Sequence, residues 1–249
     1  MKKSADYRAI ARQKLAGNWG KTALISLGYF VVFFILGFIE GLMPENIKSI
    51  FSLATTVIEV PLAFGLIISF YKLFNSENVK PFDFLKSGFS NFKRSWLISL
   101  TITLKMIIPI IMIIVSIVLI GAGMATTSFS AISGSSTTGG VFLSIIGIIL
   151  YLVGIIWAIT KSYYYQLAYI VAIDNEGLSN KEVVEKCKEI MEGKRSKLFC
   201  LQFSFIGWII LAGLTLGIGM LWLTPYIQYS SIAFYEDAIG KNEEPSVTE

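Results

Sequence analysis

Residues 106–160 read MIIPIIMIIVSIVLIGAGMATTSFSAISGSSTTGGVFLSIIGIILYLVGIIWAIT. These 55 consecutive residues carry no charged side chain. A helix needs about 20 apolar residues to cross a hydrocarbon core of roughly 30 Å. The stretch therefore holds most of two membrane spans, parted by the Ser/Thr/Gly tract at 125–140. Further uncharged runs flank it, 18 residues from Thr22 to Ile39 and 38 from Leu198 to Tyr235. The second fits two short helices around the turn Gly213–Gly219 (GLTLGIG). A fifth apolar run between Lys48 and Lys72 is interrupted only by Glu59. Together they predict six transmembrane helices near 22–43, 50–73, 96–121, 141–162, 198–213 and 218–236.

Composition agrees. The 249-residue chain is 54% hydrophobic and 15% charged, with mean hydropathy +0.67, against roughly a quarter charged in soluble domains. Two cysteines exclude a disulfide framework, and the absence of histidine removes the commonest metal ligand and general base.

Orientation follows from the basic residues. Lys2, Lys3, Arg8, Arg12, Lys14 and Lys21 precede the first span. Lys72, Lys80, Lys86, Lys93 and Arg94 follow the second. Lys181, Lys186, Lys188, Lys194, Arg195 and Lys197 follow the fourth, and Lys241 follows the last. The opposite side has Lys48 alone, so both termini are predicted cytoplasmic. The polar N-terminal stretch does not read as a cleavable signal peptide. Cys187 and Cys200 fall on or near the cytoplasmic face, where thiols stay reduced.

The chain repeats itself. In Pro61-Leu-Ala-Phe-Gly-Leu-Ile-Ile-Ser-Phe70-Tyr71 and Pro225-Tyr-Ile-Gln-Tyr-Ser-Ser-Ile-Ala-Phe234-Tyr235, Phe and Tyr follow the proline by the same interval. Lys93-Arg94-Ser95 matches Lys194-Arg195-Ser196, and the segment from Glu77 to Asp83 aligns with that from Glu176 to Glu182. A weaker third copy starts at Ser4 and ends on Gly17-Asn18-Trp19-Gly20. The predicted fold is all-α: three transmembrane hairpins, each preceded by a cytoplasmic amphipathic helix, as repeat units near 4–74, 80–173 and 179–238 of one membrane domain. Residues 239–249 read as a disordered tail. Ser179-Asn-Lys-Glu182 is a capping box, followed by Val183, Val184, Cys187, Ile190 and Met191 on one helical face. Phe82, Leu85, Phe89 and Phe92 form a second stripe, and Tyr7, Ile10, Ala11 and Leu15 a third. Such helices can lie on anionic lipid or cap the bundle.

Ionisable groups at bilayer depth are candidates for function. Glu59 and Lys105 each lie nine residues into their spans, about 14 Å deep at 1.5 Å per residue. They read as a buried pair docking two hairpins, as a pair lining a solute path, or as separate groups of which one reaches an interface. Lys93, Arg94, Lys194, Arg195 and Lys197 are the candidate lipid- or partner-facing basic residues. Gly37 and Gly41 form a small-xxx-small pattern for helix packing, and Pro61, Pro109 and Pro225 are candidate kinks. No phosphate loop, HExxH, CxxC or Ser/His/Asp set is present, so no catalytic residue, metal site or cofactor is expected, nor nucleic acid as a partner.

The Gly17-Asn18-Trp19-Gly20 corner, Asp174-Asn175 with Met191-Glu192-Gly193 and Lys197-Leu198-Phe199, and the closing Phe205-Ile206-Gly207-Trp208, Thr215-Leu216-Gly217-Ile218-Gly219, Trp222, Pro225-Tyr226 and Phe234-Tyr235 resemble an uncharacterised bacterial family of multi-pass membrane proteins, catalogued as a domain of unknown function. The resemblance implies a bacterial plasma membrane and no established activity, cofactor or catalytic residue. It departs at Thr160-Lys161, where relatives are expected to carry proline and glycine. Two functions are open. One is a non-enzymatic accessory or organising protein that docks on anionic lipid, a membrane-protein partner or a second copy of itself. The other is a small transporter or channel using Glu59 and Lys105.

Overall fold

The computed structural model describes residues 1–241. Twelve α-helices follow in order among them: α1 (Ser4–Leu15), α2 (Trp19–Leu42), α3 (Glu45–Phe74), α4 (Asp83–Ser90), α5 (Phe92–Lys105), α6 (Ile107–Ser133), α7 (Thr138–Tyr165), α8 (Ala168–Asp174), α9 (Asn180–Met191), α10 (Arg195–Phe203), α11 (Ile206–Leu214) and α12 (Met220–Ala238). Five segments are long and apolar enough to cross a membrane: α2, α3, α6, α7 continued through α8, and α10 continued through α11. This marks the chain as a membrane protein. The sixth expected span, α12, is a helix of 19 residues and is not among the five. It carries Gln228, Ser230 and Ser231 and ends on Glu236-Asp237. The chain divides into two compact units, residues 101–165 and the remainder.

In the 101–165 unit, α6 and α7 form an antiparallel hairpin whose seam is made of glycines. A Cβ on Gly123 would meet Ser144 at 2.3 Å, one on Gly140 would meet Thr127 at 2.4 Å, and one on Gly147 would meet Ile120 at 2.8 Å. Gly140, Gly147 and Gly154 recur every seventh residue, which keeps one side of α7 bare along its length. The Ser/Thr/Gly tract at 125–140 parts the two helices as expected, but only at 134–137, because α6 runs on through its first part to Ser133. Its hydroxyls bond back into the helix: Thr126 to Ala122 O (3.0 Å), Thr127 to Gly123 O (2.8 Å) and Ser128 to Met124 O (2.9 Å). They thus satisfy themselves without leaving helical geometry. The turn comes at Gly134, whose φ of 70° ends the helix in the left-handed region. The expected third span is also divided, with α5 ending at Lys105 and α6 starting at Ile107. Pro109 explains the break: it has no N–H for the Lys105 carbonyl, yet fits the first turn of a new helix.

The larger unit buries an aromatic core made of Tyr7, Phe64, Phe70, Phe74, Phe84, Phe205, Tyr229, Phe234 and Tyr235. α3 changes character along its length: residues 45–60 are largely exposed and Pro61–Phe74 largely buried. The buried part meets α4 at a crossing of Gly65 and Gly88, where a Cβ on Gly65 would sit 2.0 Å from the Phe84 carbonyl oxygen. α1 runs along α12. Tyr7 meets Phe234 edge-on at 5.3 Å and donates to Asp237 at 2.7 Å, and Trp19, opening α2, lies 6.1 Å from the Tyr226 ring.

The three short helices α1, α4 and α9 start alike. A carboxylate accepts the backbone N–H three residues upstream in each: Asp6 from Lys3, Asp83 from Lys80 and Glu182 from Ser179, all at 2.8 Å. Glu182 completes the expected capping box, since its own N–H reaches Ser179 Oγ at 3.4 Å. α9 buries Val183, Val184, Cys187 and Met191. α4 buries Phe84 and Gly88 instead of the expected stripe, and Phe82 and Phe89 are 60% and 51% exposed. The close glycine crossing with α3 decides which face of α4 turns inward.

The expected fifth span is two helices, α10 and α11, separated at Ser204-Phe205. Of the expected tail, 242–249 lies outside the described residues. Residues 239–241 are ordered: Gly240 has φ 75°, and Lys241 N–H closes onto Glu236 O at 2.9 Å, ending α12 in the usual left-handed way.

Candidate functional site

Two arrangements in the larger unit bring polar groups together. The first is centred on Asp174, at the end of α8. Tyr71 from α3 and Tyr235 from α12 both donate to its carboxylate, the latter at 2.9 Å, and Lys241 lies at 3.6 Å. Next to it, Asn175 accepts from Lys186 of α9 at 2.6 Å and donates to Val171 O at 3.0 Å. Four helices are thereby tied at one end, and every carboxylate oxygen of Asp174 has a donor. This is a structural knot with no nucleophile and base in relay.

The second is a groove of about 440 Å³ among α1, α2, α11 and α12, with Trp19, Trp208, Leu211, Trp222, Leu223 and Tyr226 on its walls and Thr215 and Gly219 at the far end. Arg12 is its one charged lining residue among the described residues, and its guanidinium donates to Tyr226 Oη at 2.8 Å. Trp208, Leu211 and Trp222 are about half exposed, so the groove opens onto the apolar outer surface. Thr215 turns its hydroxyl inward, donating to Ala212 O at 2.7 Å and accepting the Gly219 N–H at 2.9 Å.

The residues singled out in the sequence are placed as follows. Glu59 is exposed on α3, close enough to Tyr29 of α2 for its charge to be felt there. Lys105 ends α5 and belongs to the other unit. Its backbone carbonyl, left without a helical donor by Pro109, accepts from Lys161 Nζ at 3.3 Å. α7 runs through Lys161 unbroken. Pro61 likewise frees the Val57 carbonyl, which accepts from Trp96 Nε1 at 2.9 Å. Pro225 is buried inside α12.

Of the basic residues, Lys93 and Lys197 are exposed and Arg195 half-buried. Arg94 and Lys194 turn to helix ends in the same unit. Arg94 donates to Ala172 O, Asn175 O and Glu176 O at 2.6–3.1 Å, and Lys194 to Ala238 O at 2.7 Å. Both cap C-terminal carbonyls, where positive charge is favoured. Gly37 and Gly41 have nothing within 4 Å of an added Cβ. Close helix approach is made by Gly65, Gly88, Gly123, Gly140 and Gly147 instead.

Among groups outside the spans, burial raises the Asp237 pKa, but the hydrogen bonds from Tyr7 and the Lys2 N–H and the neighbouring positive charges outweigh it and leave it below the usual value. Burial pushes the Cys187 thiol up to about 12, which makes it an inert core side chain. No group of His, Cys, Asp or Glu able to hold a metal occurs among the described residues.

Arg12 carried no motif at the level of sequence, and the three tryptophans figured there only in the repeat and the family resemblance, with no site role. Their signal was positional: Trp19, Trp208 and Trp222 all sit near helix starts or interfaces, where the aromatic belt of a membrane protein lies. No curated protein and no solved structure matches the chain. A family model does, over residues 1–242, and the chain belongs to that family, described as "Protein of unknown function (DUF975)".

Proposed function

We propose that this chain is a non-catalytic accessory or organising protein of a bacterial plasma membrane, which crosses the bilayer six times as three hairpins, keeps both termini in the cytoplasm, and engages anionic lipid or a protein partner through its basic cytoplasmic face. The observation that carries the reading is where the acidic residues go. Asp6, Asp83 and Glu182 are spent on the starts of their own helices, and Asp174 and Asp237 on buried tyrosines. Lys93 and Lys197 remain exposed, and although Glu77, Glu176, Glu185, Glu189 and Glu192 are exposed as well, the balance of 21 basic to 17 acidic residues in the chain supports attraction to anionic lipid.

The threefold repeat is part of the proposal. Its support is the common start of α1, α4 and α9 and the common use of the corner that follows each. Lys14 lies over the Phe74 ring at the end of α3, Arg94 caps the end of α8, and Lys194 caps the end of α12. In each copy a basic residue at the end of the short helix or in the corner after it reaches the end of its own hairpin.

The test uses the full chain in vesicles of phosphatidylcholine with a minor fraction of phosphatidylglycerol, reading motionally restricted spin-labelled lipid. Enrichment of the anionic label is expected, falling with salt and falling again when Lys93, Arg195 and Lys197 are changed to glutamine. An annulus indifferent to headgroup charge refutes the lipid arm. Solute flux that Glu59→Gln abolishes would replace the whole reading with a small transporter or channel.

A further inference from the structure

The groove beside Arg12 is a binding site for one anionic phospholipid drawn from the surrounding bilayer, we infer, with its headgroup phosphate on the Arg12 guanidinium and one acyl chain lying between Trp208 and Trp222. The inference deepens the lipid-binding reading above and rests on it.

Three features argue for this occupant. Access comes first: the groove opens through half-exposed Trp208, Leu211 and Trp222 onto apolar surface continuous with Leu214 and Ile218. Whatever enters arrives from hydrocarbon rather than from water. Size comes second. A methylene takes up close to the ~30 Å³ that liquid water allots one molecule, so 440 Å³ holds roughly 15 of them, a single fatty chain. Charge complementarity comes third. Arg12 and the Tyr226 hydroxyl meet at the groove, no carboxylate is among the described lining residues, and the remaining walls are nearly all apolar. A planar guanidinium suits a phosphate better than an ammonium would, because it presents parallel donors.

Among the described residues no carboxylate pairs with Arg12. Arg12 is exposed and spends one N–H on a neutral phenol, which leaves donors directed outward. Arg8 stands one turn earlier on α1, on the same side by helical spacing, and its Nε is buried with no partner among the described residues. An arginine pair along one helix edge, next to a chain-sized apolar slot, matches the two ends of a phospholipid. A zwitterionic lipid would bring its own cation to a groove that already has Arg12 in its lining and Arg8 one turn away on the same helix.

The test is quenching of tryptophan fluorescence by phospholipids brominated on the acyl chain, with the full-length protein in phosphatidylcholine vesicles. Three of the five tryptophans line the groove, so they dominate the signal. Brominated phosphatidylglycerol is expected to bind with a relative constant roughly fivefold above brominated phosphatidylcholine, the worth of one arginine against anionic lipid, and to saturate at one lipid per chain. Arg12→Gln should abolish that preference. Tyr226→Phe, which loses the same hydrogen bond but keeps the guanidinium, should retain it, separating charge recognition from helix positioning. The wild-type comparison of the two lipids stands even if a variant fails to fold. Equal quenching by both lipids overturns the inference, and so does a preference that survives Arg12→Gln. If spin-label enrichment persists while the bromine preference is absent, the groove is refuted and the basic face stands. If neither is seen, both fall.

Discussion

Gly65→Ala is the smallest change that tests how the larger unit is assembled. The added Cβ would lie 2.0 Å from the Phe84 carbonyl oxygen, 2.7 Å from Gly88 N and 2.9 Å from Gly88 Cα. All three are backbone atoms, so no rotamer change relieves the clash, and α3 and α4 must part by roughly 1.4 Å to restore ordinary contact at 3.4 Å. A gap of about 1 Å forfeits up to half of the dispersion energy of the atoms facing it. Leu62 and Phe84, both fully buried, would lose that share. Burial of each is worth about 2 kcal/mol, so half of both comes to about 2 kcal/mol. Overpacking strain adds 1–3 kcal/mol on the usual scale. A destabilisation of about 3–5 kcal/mol is expected.

The assay is SDS-driven unfolding in mixed micelles, followed by circular dichroism, with Gly37→Ala as the matched control. That glycine has nothing within 4 Å of its added Cβ, so the control should be neutral or gain up to about 1 kcal/mol from helix propensity. A Gly65→Ala midpoint within about 0.5 kcal/mol of the wild type would refute the close crossing of α3 and α4.

Two further outcomes follow from particular contacts. Trp96→Phe should cost about 1–2 kcal/mol by leaving the Val57 carbonyl unpaired, and much less in a Pro61→Ala background, where residue 61 regains an N–H for that carbonyl; equal losses in both backgrounds in SDS titration would refute the pairing. The Tyr7–Asp237 bond is worth about 1 kcal/mol after allowance for exposure. Because the Asp237 pKa is depressed on folding, that contribution is complete above the unfolded carboxylate's ~3.9 and is lost as pH falls through the lower folded value. Tyr7, whose pKa is raised by burial and then by Asp237, keeps its proton until well above the unfolded tyrosine's ~10. The gap between wild type and Tyr7→Phe should therefore be flat from about pH 5 to 9 and close below pH 4; a gap unchanged at low pH would show that the bond is not to a carboxylate.

The all-helical membrane fold was legible because hydropathy runs depend on composition alone, and the capping box at Ser179 because it is local. What was missed depended on tertiary structure or on competition within a helix. Residues 125–133 read as a loop by composition, yet hydroxyls that bond one turn back let the helix continue. Gly37 and Gly41 fit a packing motif but face open space, whereas Gly140, Gly147 and Gly154 showed a heptad spacing that a search for four-residue patterns passes over. Glu59 and Lys105 were conspicuous for charge and depth. Arg12 was one of six basic residues ahead of the first span, and only the course of α1 along α12 sets it at the mouth of a groove.

The two prolines with visible partners bear on the choice between an organising protein and a transporter. In transporters, broken helices leave carbonyls bare to coordinate a solute. Here the carbonyl freed by Pro61 is taken by the Trp96 indole, and the one freed by Pro109 by the Lys161 ammonium. Arg94 and Lys194 likewise take the carbonyls at the ends of α8 and α12. These are the groups with which a solute path would be lined, and the chain's own side chains already occupy them. Displacing Trp96 or Lys161 would leave a carbonyl unsatisfied at a cost of about 1–2 kcal/mol, which a solute would have to repay before binding there. The kinks therefore shape the hairpins, and Arg12 with the exposed Lys93 and Lys197 remains available to an anionic ligand. That distribution favours recognition of a charged lipid surface over passage of a solute.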